Sequence, residues 1–180
     1  MKRTFFSLAL LLAVATLTAQ TKMTAREAAV KIADRILAST TYEFKNTKTG
    51  EIYKSVKKLP LDMDVKVACK YNNWHYTNGV TNMALMELGD KLGDKKYEKY
   101  VLKNMNFVFN EGNLDFFRKQ YDEAFKRDGW NAVRKLSWHM IFRGKRLDDN
   151  GPMGASLIEL QLKYPNDSFL GYINETAEHL

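Results

Sequence analysis

Two adjacent acids near the end of the chain could carry acid–base chemistry. Asp148 and Asp149 stand in the stretch RGKRLDDNGPMGASLIEL, residues 143–160, just before an apolar helical run. A carboxyl at a loop-to-helix junction can exchange a proton with a substrate when a second carboxylate beside it opposes its ionisation. The same position also suits a helix-capping Asp, because the first N–H groups of a helix lack partners. The pattern alone fits both a cap and a catalytic acid.

Aromatic and histidine side chains occur at two other places that could face these acids. Trp74, His75 and Tyr76 directly precede a predicted helix, and His139 lies ten residues before the second acid. Aromatic faces combined with hydrogen-bonding groups are a common arrangement for binding sugar rings. The alternative is that the tryptophans are core residues and the histidines are structural.

The sequence contains no motif for metal-dependent, cofactor-dependent or nucleophilic catalysis. No metal-ligand spacing occurs among the three His, the one Cys and the acids. There is no phosphate-binding loop, dinucleotide fingerprint or nucleophile elbow, so we expect neither a metal nor a cofactor. Cys69 lies in the apolar stretch VKVACKY and is predicted to be a small buried residue. Arg146 belongs to a basic triplet that suits either an anionic substrate or a solvated loop.

Helical periodicity predicts an all-α protein of about seven helices with short connections. A capping box at Thr24–Glu27 begins the first helix, which is expected to end near Ser39. Residues 40–73 lack this periodicity and predict a long structured loop with a short hairpin around the turn signal Asn46–Gly50. From Tyr76 onward three helices are predicted, with stops at Gly93, Gly112 and Asp128–Gly129.

Three further helices are predicted in the last third of the chain. They are a short one through Val133, Leu136 and Met140, one from about Pro152 to Lys163, and one that runs into Leu180. Pro152 is expected in a first turn, where its missing N–H costs nothing. A chain that stops in mid-helix indicates either a fragment of a longer protein or a frayed terminal helix.

The N-terminal stretch MKRTFFSLALLLAVATLTAQ predicts a secretory signal peptide over residues 1–19. Its apolar run is too short for a transmembrane anchor. Residues 20–180 are then expected to form one domain that is secreted or periplasmic. Removing Lys2 and Arg3 lowers the net charge from +7 to +5, and the charges are interspersed. No basic stripe typical of nucleic-acid binding is present.

The motifs resemble those of a known enzyme family. The chain is similar to the N-terminal half of the unsaturated rhamnogalacturonyl and glucuronyl hydrolases, glycoside hydrolase families 105 and 88. The matching stretches are Trp74–Val80, Tyr97–Tyr100 and Met140–Gly154. The last is the most specific, because Asp149 is followed four residues later by Met153. The resemblance extends over most of residues 24–180.

The resemblance implies an (α/α)6 barrel of helical hairpins. Such a barrel needs about twelve helices, so this chain would contain its first half. It implies an oligosaccharide substrate whose non-reducing end is a 4,5-unsaturated uronic acid left by a polysaccharide lyase. An Asp protonates the double bond and activates water to add across it, without a metal. This differs from the paired-carboxylate displacement of ordinary glycosidases.

The resemblance also implies roles for individual residues. Asp149 matches the acid/base aspartate, with Asp148 as the alternative. The implied substrate-binding residues are His139, Trp74, His75, Tyr76 and Arg146, and a second family aspartate would lie at Asp115 or Asp122. Two other functions remain open on the residues: a catalytically inactive half domain that binds acidic oligosaccharide or another chain, and an unrelated helical scaffold.

Overall fold

The computed structural model describes residues 23–109, 112–143 and 147–178. The chain divides into two compact units, one ending at Ile32 and the other running from Ala33 to Leu180. The predicted signal peptide, residues 1–19, lies outside the described residues. No helix in the described ranges is long and apolar enough to span a bilayer.

Six α-helices make up most of the described chain, which confirms the predicted all-α class. Their bounds are α1 Ala25–Ser39, α2 Tyr76–Leu92, α3 Lys96–Phe109, α4 Asn113–Val133, α5 Leu147–Lys163 and α6 Asp167–Ala177. Two short 3-10 helices, Val56–Lys58 and Lys70–Asn72, lie in the long connection between α1 and α2.

The start of α1 is fixed by the predicted capping box. The Thr24 backbone N–H donates to the Glu27 carboxylate at 2.8 Å, and the Glu27 N–H donates to the Thr24 hydroxyl at 3.2 Å. These bonds satisfy N–H groups that have no partner within the helix. The backbone bond from Thr24 holds the pKa of Glu27 below its usual value.

The predicted hairpin is part of a small antiparallel sheet. The strands are β1 Phe44–Asn46, β2 Ile52–Tyr53 and β3 Val65–Val67, in the order β2-β1-β3. Phe44 pairs with Tyr53 on one side and with Val67 on the other. The turn is closed by the Asn46 side chain, whose Oδ1 accepts the N–H groups of the second and third residues after it, at 2.9 and 3.0 Å.

Four of the helices form two antiparallel hairpins. In the first, α2 is followed by Gly93, which adopts a left-handed conformation with φ 65°. α3 then runs back until Phe109 contacts Trp74. In the second, α6 runs back along α5 until the Tyr172 hydroxyl lies 3.4 Å from the Asn150 amide oxygen. These two pairs match the antiparallel arrangement predicted from the short connections.

The two hairpins pack on each other with α2 and α5 running in the same direction. Gly79 lies against Pro152, and eleven residues further along both helices Asp90 forms an ion pair with Lys163 at 3.5 Å. The N-terminal ends of α2 and α5 therefore lie side by side. This parallel contact was not among the antiparallel pairs predicted from the sequence.

The prediction of a short helix through Val133, Leu136 and Met140 was wrong beyond Val133. α4 is kinked at Asp128 and Gly129, where a stop was predicted, and continues to Val133. Residues 134–142 form a series of turns instead of a helix. The apolar spacing there reflects burial, because Leu136 and Ile141 are 4% and 5% exposed.

The start of the next helix also differs from the prediction. α5 begins at Leu147, so Asp148 and Asp149 belong to its first turn rather than to a preceding loop. Pro152 consequently lies inside the helix and not in its first turn. A proline at this position removes one backbone hydrogen bond. The close contact of Pro152 with Gly79 packs it against α2 and offsets part of that loss.

A single main core holds the sheet and helices of the second unit together. Its largest fully buried side chains include both Trp74 and Trp138 together with Tyr97, Phe44 and Phe117. Aromatic rings contact one another throughout this core, for example Phe117 and Trp138 at 4.6 Å between ring centres. Cys69 is buried, as predicted.

The approach of α2 to α5 leaves no space for a side chain at Gly79. A Cβ atom there would lie 2.4 Å from the Pro152 carbonyl carbon and 2.5 Å from the Met153 nitrogen. We therefore expect Gly79→Ala to lower the free energy of unfolding by about 1–3 kcal/mol in urea denaturation. Gly154→Ala in α5, which has open space around it, should instead raise it by roughly 0.5–1 kcal/mol. Equal stabilities for the two variants would contradict this packing.

Glu98 connects the far ends of the two hairpins. Its side chain is 10% exposed, and its carboxylate accepts from the Lys163 ammonium at 2.6 Å and from the Tyr164 hydroxyl at 2.5 Å. The hydrogen bond from Lys163, followed by that from Tyr164, holds the pKa of Glu98 below its usual value of 4.5. Acidification should therefore weaken this connection.

A lowered folded pKa stabilises the fold above the unfolded value and loses that effect as the pH falls through the folded value. Glu98→Gln should lower the free energy of unfolding by roughly 2 kcal/mol at neutral pH. The difference from wild type should shrink once the pH drops below the unfolded value of 4.5. Urea denaturation at several pH values measures it. The control Glu87→Gln breaks an exposed pair with Lys91 and should change little; a pH-independent difference for Glu98→Gln would contradict the linkage.

Candidate functional site

Three separate segments meet where α2 and α5 begin. They are residues 72–78, residues 137–139 and the first turns of α5 from Leu147 to Met153. Two of these segments belong to the motifs that carry the family resemblance. The third contains the Trp138–His139 pair. Their meeting point is the candidate functional site.

Asparagine side chains hold the first two segments together. The Asn73 amide oxygen accepts the backbone N–H groups of both Trp74 and Trp138, each at 3.1 Å. The Trp138 indole Nε1 donates to the Asn72 carbonyl at 2.7 Å. The Asn78 amide donates to the Asn73 carbonyl at 2.7 Å. Residues 137–139 are thereby fixed to the start of α2.

Trp138 has a backbone conformation that residues other than glycine rarely adopt. Its φ is 56°, and it is the one non-glycine residue with positive φ in the described part of the chain. Such a conformation costs about 1–3 kcal/mol and persists where surrounding contacts enforce it. Here the contacts are the two bonds to Asn72 and Asn73 and complete burial of the indole.

The turn at Trp138 determines where His139 lies. The His139 ring is partly buried, and its Nδ1 is 2.7 Å from the Leu136 carbonyl. Because a carbonyl oxygen only accepts, Nδ1 carries the hydrogen and Nε2 is the acceptor nitrogen of the neutral ring. The bond to Leu136 thus fixes the tautomer of the neutral His139 ring.

Trp74 and Asn150 join the first segment to α5. The indole Nε1 of Trp74 donates to the Asn150 amide oxygen at 2.9 Å, and both side chains are buried. This bond fixes the amide orientation, because only its oxygen can accept. The amide nitrogen Nδ2 of Asn150 is buried and has no hydrogen-bond partner among the described residues. The two N–H groups of this amide nitrogen therefore have no acceptor among the described residues at the beginning of α5.

The structure assigns Trp74 to the core and not to a pocket wall. The side chain is 1% exposed and packs edge-on against Phe109 and Tyr172. The core alternative left open by the sequence therefore describes Trp74. Its contribution to the site is the indole N–H that holds Asn150.

His75 and Tyr76 lie at the solvent side of the same corner. His75 is the residue before α2, and its Nδ1 accepts the Thr77 N–H at 3.4 Å. The His75 and Tyr76 rings lie 4.7 Å apart, and Tyr76 is 47% exposed. Tyr76 therefore presents an aromatic surface to solvent next to the N-terminus of α2.

The two predicted acids lie in the first turn of α5. Asp148 is exposed, at the positive end of the helix dipole. The backbone of Asp149 belongs to the same turn, while its side chain and the whole of Arg146 lie outside the described residues. The candidates for the second aspartate, Asp115 and Asp122, are both exposed on α4. In the described ranges no group of three or more His, Cys, Asp or Glu side chains could hold a metal ion.

The asparagines were the part of the site that sequence analysis missed. Asn72 and Asn73 immediately precede the first motif and Asn150 lies within the last, but none of the three was assigned a role from the sequence. A signal was available, since consecutive asparagines immediately before an aromatic residue and a helix start are typical of side chains that bind backbone groups. The partner of Asn73, however, lies 65 residues away and has no local pattern.

Comparison with known proteins adds no assignment. No protein-family model matches the sequence, and no curated protein shows significant similarity to it.

Removing the Asn73 side chain should loosen the site. Asn73→Ala leaves the Trp138 N–H without its acceptor, and a buried unsatisfied group costs about 1–3 kcal/mol. We expect that loss in urea denaturation, together with a changed near-ultraviolet dichroism of the tryptophans. Asn131→Ala, at an exposed asparagine, is the matched control and should change neither. Equal stability of the two variants would show that Asn73 does not hold residues 137–139.

Proposed function

We propose that this chain is an exported glycoside hydrolase that removes a 4,5-unsaturated uronic acid from the non-reducing end of lyase-generated oligosaccharides. The substrate would be of the pectin or rhamnogalacturonan type. The observation that carries the proposal is the 2.9 Å hydrogen bond between Trp74 and Asn150. It joins the two stretches whose residues resemble the unsaturated rhamnogalacturonyl and glucuronyl hydrolases.

The packing of the hairpins also supports this proposal. In an (α/α)6 barrel, successive hairpins stand side by side and their equivalent helices run parallel. The hairpins α2/α3 and α5/α6 stand side by side with α2 and α5 parallel, which supports the proposal, and α4 separates them along the chain. We propose that they are two hairpins of such a barrel, with the site at the N-terminal ends of α2 and α5.

In the proposed reaction Asp149 acts as the acid and then the base, with Asp148 as the alternative. The acid adds a proton to one carbon of the ring double bond, and water adds its oxygen to the other. The carboxylate takes up the proton that the water releases. The resulting hemiketal opens to a ketone and leaves a hemiacetal at the anomeric carbon. Collapse of that hemiacetal to an aldehyde breaks the glycosidic bond, and the partner sugar leaves with the hydroxyl proton. The positive end of α5 stabilises the ionised carboxylate that activates water.

The remaining predicted residues would bind the sugar. Tyr76 offers an exposed ring beside His75, and His139 is the histidine that the resemblance implies for substrate binding. Arg146 would pair with the substrate carboxylate. No metal or cofactor takes part in the proposed reaction.

The test is loss of the double-bond ultraviolet absorbance in an unsaturated rhamnogalacturonan disaccharide. We expect the wild-type chain to consume it and Asp149→Asn to lower the rate by at least 100-fold, the usual contribution of a general acid–base group being about 10²–10⁴-fold. Asp148→Asn should have the smaller effect. Asp167→Asn is the matched control, since Asp167, like Asp148, is exposed in the first turn of a helix.

Full activity in Asp149→Asn would overturn the assignment of the acid. Saturable binding of the disaccharide without turnover would instead favour the alternative function, a helical domain that binds acidic oligosaccharide. Absence of both binding and turnover would contradict the proposal and leave an unrelated helical scaffold.

A further inference from the structure

Exposed aromatic rings form a second surface on α4 and the segment that follows it. Trp130 and Phe125 are 52% and 45% exposed, with their ring centres 5.4 Å apart. Tyr121 stacks on Phe125 at 6.3 Å, and Phe142 lies 5.4 Å from Tyr121. We call this group the aromatic surface; with its two arginines it comprises Arg118, Tyr121, Phe125, Trp130, Phe142 and Arg143.

Both arginines lie over rings of this surface. The Arg143 guanidinium is 4.5 Å from the centre of the Trp130 ring, and that of Arg118 is 5.0 Å from the centre of the Phe142 ring. A guanidinium held over a ring keeps its in-plane N–H donors available. Among the described residues, no carboxylate forms a salt bridge with either arginine. The surface therefore offers aromatic faces next to positive charge.

These features fit an acidic sugar chain better than a nucleic acid. A ring face packs against the apolar face of a sugar, and a guanidinium forms paired hydrogen bonds with a carboxylate. A nucleic acid would need a run of basic groups along its phosphate backbone, whereas this surface holds two guanidinium groups among aromatic rings.

The surface is continuous along the chain with the candidate site. Phe142 and Arg143 end the segment that begins with Trp138 and His139, and Arg143 Nη1 contacts the Met140 sulfur at 3.9 Å. The same short segment therefore contributes residues to both the candidate site and the aromatic surface.

We propose that the aromatic surface binds distal rings of an acidic oligosaccharide whose end is held at the candidate site. The inference takes its substrate class from the proposed function, but it concerns different residues. It predicts that the chain prefers long acidic oligosaccharides to the disaccharide. Trp130 supplies the sugar contact, and Arg143 supplies the charge.

The test is calorimetric titration with lyase-generated oligogalacturonate, with the unsaturated disaccharide, and with a neutral galacto-oligosaccharide of equal length. We expect Trp130→Ala to weaken binding of the long acidic ligand about 10-fold, the effect of one lost aromatic contact. Trp130→Phe should retain most of the affinity. Arg143→Gln should weaken binding and reduce its dependence on salt. Leu170→Ala and Arg35→Gln, at exposed positions elsewhere, are the controls and should bind as wild type.

Unchanged affinity in Trp130→Ala, or equal binding of the neutral ligand, would overturn the inference. So would self-association that Trp130→Ala abolishes in a chain that binds no sugar, because the occupant would then be a second copy. Trp130-dependent binding without consumption of the double bond would uphold the inference while the proposed hydrolase fails. Consumption of the disaccharide with no tighter binding of the long ligand would do the reverse.

Discussion

The close contact between α2 and α5 at Gly79 and Pro152 is the constraint on which the rest of the structure depends. Because glycine has no side chain, the two helices approach until backbone atoms of α5 lie 2.4 to 2.5 Å from the position that a Cβ of residue 79 would take. The parallel direction of the pair then places both N-terminal ends at one corner of the fold. Trp74 can reach Asn150 only because of this approach, and the ion pair of Lys163 with Asp90 maintains the alignment at the other end.

A second constraint acts on residues 134–143. This segment returns from α4 to the corner where α2 and α5 begin, and Trp138 makes the return with a left-handed backbone. Its backbone N–H and indole N–H donate to Asn73 and Asn72 and hold it there. The segment contains His139 of the candidate site and Arg143, which lies over Trp130, so one strained turn lies in the segment that contributes to both surfaces.

Local patterns predicted local structure. The capping box of α1 and the hairpin around Asn46 depend on neighbouring residues, and the structure contains both. At Asp128–Gly129 it has a kink within α4 instead of the predicted stop. Predictions that depended on contacts between distant residues were less accurate than these local ones. The apolar spacing at Leu136 comes from burial in turns, and Pro152 lies inside a helix against Gly79. The acids and aromatics of the site were visible as motifs, but the asparagine bonds that bring them together join residues more than 60 positions apart.

The three tryptophans provide the most direct test that these motifs form one sugar-binding site. Trp74 and Trp138 lie at the candidate site, while Trp130 lies on the aromatic surface, so three indole N–H signals in a ¹⁵N correlation spectrum separate the regions. Titration with the unsaturated disaccharide should shift the Trp74 and Trp138 signals together along one saturable curve. Addition of a disaccharide excess that leaves both signals in place, in a chain that remains folded, would contradict the account.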